Sequence, residues 1–200
     1  MHTLLVATNP DPQSLTHHVL GRTEAALHPA SVEVADLSKE RFDPKFTLAD
    51  RRAYHEGDNY PADIASEHHR LERATDLVLI FPVYWWSMPA LLKGWIDRVF
   101  INGWAFEYSP TSGLRPKLQT LTTHLLPIAG DDSGAYERHG YEKAIRTQIE
   151  HGIIDYCGSR RGATAFIHES EQDSPEATAQ SVDQAVRTIS GAIHARSTRA

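Results

Sequence analysis

The chain has 200 residues, 40% of them hydrophobic, which is enough to fill the core of one ordinary domain and argues against disorder. With 20 basic and 26 acidic residues the formal charge is −6, which disfavours wrapping nucleic acid or hugging an anionic membrane. No apolar run approaches the roughly 18 residues of a membrane span, the amino-terminal MHTLLVATNPDP lacks the pattern of a signal peptide, and one cysteine precludes an internal disulfide framework. The expectation is a cytoplasmic domain without membrane insertion.

In chain order, the apolar run 4–7 reads as a strand, ended by the turn chemistry of Asn9-Pro10-Asp11-Pro12. A helix begins at Ser14, with Leu15, Val19, Leu20 and Ala26 inward and His28-Pro29 closing it. Alternation at Val32 and Val34 predicts a second strand, and the polar stretch 38–60 reads as a long surface excursion. A helix over about 62–74 leads to the apolar run 77–81, the clearest buried strand. The segment 88–100 then repeats Leu92, Trp95, Ile96, Val99 and Phe100 at helical spacing, with Lys93 and Asp97 paired on the outer face. A fourth strand is expected within about 118–129, interrupted by Pro127, then a helix over about 141–157 and a fifth strand over 163–167. Ser174-Pro175-Glu176 opens the last helix, whose core face is Val182, Ala185, Val186, Ile189 and Ile193. Nothing divides the chain, so a single domain is expected.

Alternating strands and helices of this kind predict an α/β fold: a doubly wound sandwich with a five-stranded parallel sheet. Ligands of such sheets bind beyond the carboxyl ends of the strands, which selects the loops 8–14, 82–88, 104–116, 128–141 and 168–174. In the first loop, free N–H groups at a helix start could seat a phosphate; alternatively, Ser14 is simply an N-cap. Neither a dinucleotide fingerprint nor a P-loop is present. In the second, Tyr84-Trp85-Trp86 places three aromatics in succession, and their diverging side chains require at least one to line a cleft or an interface. The histidines lack metal-ligand spacing, Cys157 reads as a buried thiol, and there is no GxSxG elbow.

The stretch FPVYWWSMPALLKGWIDRVF followed by GWAFEY resembles the flavodoxin-like NAD(P)H:quinone oxidoreductases, as do Asn9-Pro10-x-Pro12-x-Ser14 and the segment 152–158. The resemblance implies a homodimer with a flavin, FMN or FAD, at each of two sites formed between subunits. It implies NADH or NADPH as hydride donor and a small quinone-like acceptor. Asn9, Ser14, Leu15 and Thr16 would meet the flavin phosphate, and Pro82, Val83, Tyr84, Trp85 and Trp86 would run along the ring, with Gly130 and Asp131 also at the cofactor. Phe106 and Tyr108 would line the substrate slot from the second subunit, with Trp104 beside them. Trp95 would be core or dimer interface. Tyr136 matches the family's catalytic tyrosine; the histidine position falls on Glu142, with His139 three residues earlier. The family's Thr-Thr-Gly-Gly loop is here Ile128-Ala129-Gly130-Asp131. Two rivals are a one-electron carrier and a flavin-binding regulatory subunit.

Overall fold

A computed structural model describes residues 1–172 and 174–198. Its centre is a parallel sheet of β1 (His2–Ala7), β2 (Ser31–Asp36), β3 (Asp76–Pro82), β6 (Thr122–Ile128) and β7 (Arg160–Thr164), in the order β2-β1-β3-β6-β7. The order reverses between β1 and β3, so the crevice beyond their carboxyl ends is the topological switch point. The alternating pattern predicts such a five-stranded parallel sheet, and its order is that of the flavodoxin-like fold the resemblance implies.

Both faces of the sheet are covered. On one, α1 (Leu15–Leu27) and α7 (Pro175–Ser197) pack Val19, Leu27, Val182 and Ile189 against Leu5, Val78 and Leu126. On the other, α3 (Ala62–Arg73) and α4 (Ala90–Val99) bring Ile64, Leu92, Trp95 and Val99 against Leu4, Leu79 and Phe81. Because β3 is buried on both faces it reads as an unbroken apolar run.

Several expectations are corrected. The excursion 38–60 contains a helix, α2 (Leu48–Glu56), opened by a reciprocal cap between Thr47 and Asp50. It has almost no apolar stripe, and its anchor is polar. Arg98 on α4 donates from Nε to the fully buried Asp50 at 3.0 Å, and from Nη1 to Asp63 at 2.7 Å and the Asp43 carbonyl at 2.8 Å. The fourth strand is not interrupted by Pro127: it runs through it, Pro127 pairing in register with Phe81 while its carbonyl accepts from Ile167 N–H. The 104–116 loop folds in part as a hairpin of β4 (Phe106–Ser109) and β5 (Gly113–Pro116). The helix expected over 141–157 is preceded by α5 (Ser133–His139), turns at Gly140 (φ 70°) into α6 (Tyr141–Arg146), and continues as a π-helix over Thr147–Asp155. The last strand starts three residues earlier than expected and ends at Thr164, and Ile167 touches β6 only through an isolated bridge to Ile128.

Candidate functional site

Four loops meet at the carboxyl edge. In the first, the Asn9 amide donates to Thr16 Oγ1 at 3.2 Å and its Oδ1 accepts from Asp11 N–H at 3.0 Å. Ser14 caps α1 by accepting from His17 N–H, and Asp11 turns its carboxylate to Gln13 N–H at 2.9 Å. The His17 ring braces this loop against β2, lying 2.8 Å from the Asp11 carbonyl and 2.9 Å from the Asp36 carboxylate. The N–H groups of Leu15 and Thr16, at the first two helical positions, have no partner among the described residues. A seat with two unspent donors and the positive end of a helix dipole fits the phosphate of a flavin nucleotide.

In the second loop, Pro82 closes β3, and Val83 N–H donates to the Ile128 carbonyl at 2.7 Å, fixing this loop to the end of β6. Tyr84 and Ser87 then exchange both backbone hydrogen bonds at 3.1 Å around Trp85 and Trp86, whose φ values are 50° and 53°. Two left-handed residues between paired ends form a type I′ turn, a conformation that suits Asn-Gly and strains tryptophan. Trp85 is 88% exposed, Tyr84 51% and Trp86 37%. Strain and exposed rings together, at a switch point, give a surface that a planar ligand could cover.

The third loop follows β6. Gly130 and Asp131 are exposed, and a Cβ on Gly130 would meet the Glu171 carboxyl carbon at 3.3 Å. The Asp131 carboxylate accepts from Asp132 N–H at 2.9 Å, and Asp132 caps α5. Tyr136 is buried against Tyr141, Phe166 and His168. Burial foremost, then the charge of Asp131 and the neighbouring Tyr141, pushes its hydroxyl up to about 12, so it is a hydrogen-bond donor and not a base near neutrality. His139 is exposed and lies on Tyr141 at 5.1 Å; it makes no hydrogen bond to Tyr136. The family's histidine position, Glu142, is paired with Arg146.

The hairpin residues lie apart from these loops in the single chain. Phe106 is buried, meeting Tyr54 and Tyr156 edge-on beside an apolar cleft of about 370 Å³, and Tyr108 is exposed on β4. Trp104, expected in the substrate slot, is stacked on His68 of α3 at 4.1 Å and 6°, its indole N–H donating to Glu72 at 3.1 Å. His68 is held neutral, lowered to about 4 mainly by burial. Trp95 is fully buried in the core of its own chain. The sequence reading missed Tyr141 and His168, which join Trp86 and Tyr136 in one aromatic group. Both lie in or next to loops already selected, but no spacing rule marks their rings as neighbours. Among the described residues no cluster suited to a metal ion occurs, and no helix is long and apolar enough to cross a membrane.

Comparison with known proteins adds three findings. A family model described as flavodoxin-like fold matches residues 1–191. The chain is 33% identical over 131 residues to NAD(P)H dehydrogenase [quinone] 1 of Rattus norvegicus, covering 64% of this chain and 47% of that protein. It thus spans about half the length of that relative. It is 28% identical over 166 residues to the uncharacterised NAD(P)H oxidoreductase YcaK of Escherichia coli, covering 82% and 81%. In structure it superposes on the NAD(P)H:quinone oxidoreductase from Methanothermobacter marburgensis with a TM-score of 0.86 at 24% identity, covering 94% and 96%, a likeness of fold.

Proposed function

Because the chain belongs to the flavodoxin-like fold family, we propose that it is a flavin-dependent NAD(P)H oxidoreductase delivering a hydride to a quinone-type acceptor by alternating donor and acceptor at one site. One observation carries the reading: the unspent N–H groups of Leu15 and Thr16 share the switch point with the strained, exposed Tyr84-Trp85-Trp86 turn, in a chain similar to NAD(P)H quinone oxidoreductases. The bound flavin supplies the hydride-carrying chemistry.

The chain's own residues bind and orient it. Leu15 and Thr16 N–H, with the Ser14 and Thr16 hydroxyls, hold the phosphate without any lysine, consistent with the net charge of −6. The backbone of Pro82 to Trp86 positions the ring, and the Tyr136 hydroxyl, protonated near neutrality, donates toward negative charge as it grows. Asp131 spends its carboxylate on Asp132 N–H in an exposed loop, so solvent screens its charge. His139 acts through its stack on Tyr141, not as a proton carrier to Tyr136. A cleft of about 460 Å³ between Leu15, His18, Pro175 and Thr178 adjoins the phosphate seat and is roomy enough for an adenine, which favours FAD over FMN. Phe106 and Tyr108 complete the acceptor slot from a second copy of the chain, the exposed aromatics and the apolar cleft beside Phe106 forming the homodimer contact.

The test is direct. Purified protein titrated with FAD or FMN is expected to bind at micromolar concentration and to oxidise NADH or NADPH only when a quinone is present. Protein that binds neither flavin refutes the reading.

A further inference from the structure

The loop after β1 carries no fixed positive charge, since residues 8–20 contain neither lysine nor arginine. They do contain His17, whose ring reaches across to the end of β2. Its Nδ1 lies 2.8 Å from the Asp11 carbonyl and its Nε2 lies 2.9 Å from the Asp36 carboxylate. The side chains of His17 and Asp36 are only 16% and 12% exposed, so water screens the pair weakly. A carbonyl and an ionised carboxylate have no proton to give, so both ring nitrogens must be donors. A neutral imidazole has one N–H; two make it an imidazolium. Of the other charged groups around the ring, the Asp11 carboxylate turns to Gln13 N–H, and His18 is exposed at the next helical position. The second oxygen of Asp36 accepts from Lys39 N–H at 3.1 Å.

The proton on Nδ1 decides what Ser14 can do. Ser14 Oγ lies 3.0 Å from Nδ1 and accepts from His17 N–H at 3.4 Å. While Nδ1 is protonated, Ser14 Oγ meets only donors on this side, and its own hydrogen is left for a ligand. With Nδ1 bare, that hydrogen turns to the ring, and Nδ1 and the Asp11 carbonyl face each other as two acceptors. Losing the proton thus removes a positive charge, a hydroxyl donor and a brace of the loop together.

We propose that His17 is a positioning residue that couples proton uptake to phosphate binding, so that affinity for a flavin nucleotide falls as the pH rises through the histidine range. The proposal rests on the flavin reading above and adds the regulation of that site. The sign follows from linkage: the form that favours the anionic ligand is the protonated one, which dominates at low pH.

The probe is FAD, whose pyrophosphate takes up no proton in the range used, whereas a phosphate monoester such as that of FMN does. Fluorescence titration between about pH 6 and 8.5 is expected to show the wild-type Kd rising about tenfold, the scale of one hydrogen bond to a charged group. In His17→Gln the Kd is expected to stay flat near the wild-type value at high pH, while His18→Gln keeps the full rise. A second measurement needs no variant. By reciprocity, the ring-nitrogen NMR signals of His17 are expected to hold their imidazolium form to higher pH in protein loaded with FAD, or with FMN if it takes only that, than in flavin-free protein. A flat wild-type profile, a rise that survives in His17→Gln or vanishes in His18→Gln, or a His17 titration indifferent to flavin overturns this proposal alone. Protein that binds neither flavin at any pH overturns the flavin reading and this proposal with it.

Discussion

The four tryptophans fall into two pairs. Trp95 and Trp104 each spend the indole N–H on a glutamate of α3, Trp95 on Glu67 at 2.8 Å and Trp104 on Glu72 at 3.1 Å. Trp95 is sealed in the core, and Trp104 is sandwiched between α3 and Phe100. Among the described residues Trp85 and Trp86 have no such partner; they sit on left-handed backbone and leave much of their ring area in water. One pair binds helices to the sheet. The other is held at a cost in backbone energy and exposed apolar surface, which is the pattern of residues whose partner is not part of the chain.

Mutation should separate the pairs, and the largest effect is expected at Trp95. Trp95→Ala empties a closed site and takes one of the buried Glu67's two donors, Arg70 keeping the other, so urea denaturation should show a loss of about 3–5 kcal/mol. Next comes the alkaline limb. Burial raises Tyr136 above its ordinary value of 10.0 to about 12, so the unfolded chain releases that proton first. This contribution is complete below about pH 10 and is lost as the pH climbs through about 12; Tyr136→Phe should remove it, as read by tyrosinate absorbance and urea midpoints across that range.

A smaller effect of opposite sign is expected at the turn. Replacing Trp85-Trp86 with Asn-Gly relieves two strained residues while giving up the stack on Tyr141, for a net gain near 1 kcal/mol, and should weaken flavin binding. A large loss of stability there would erase the distinction between the pairs. The smallest effect belongs to Trp104→Phe, which keeps a ring on His68 and removes a bond to an exposed glutamate; a melting shift corresponding to roughly 0.5 kcal/mol is expected, with flavin affinity unaltered.

What was legible in the sequence follows from what each element buries. β3, α4 and α7 announce themselves because the apolar residues they bury recur at the right period. α2 was hidden because Ala53 is almost the whole of its apolar contribution and its seat depends on an ion pair between residues 48 positions apart. The hairpin left a trace that went unread, Phe106 and Tyr108 alternating ahead of a Gly113 with φ of 72°. The positions of Trp104 and Tyr141 were beyond reach, since their neighbours His68 and Trp86 lie 36 and 55 residues away and no local pattern encodes such meetings. The first loop, proposed to seat a phosphate, and the aromatic turn were readable as loops at strand ends. The backbone strain at Trp85 and Trp86 was not.

The Arg98 guanidinium has a bearing on dynamics. Burial works against the Asp50 carboxylate, yet the Thr47 and Arg98 hydrogen bonds prevail and hold it below the ordinary range, so the clamp stays charged on both sides at neutral pH. Asp43, Asp50 and Asp63 come from three segments that share this one donor. Opening any of them exposes the same buried charge, so residues 43–63 should unlock from α4 in a single step. Amide exchange across α2 and the first turn of α3 would then report one common opening free energy, and the polar stretch that looked like a loose excursion would behave as a cooperative unit.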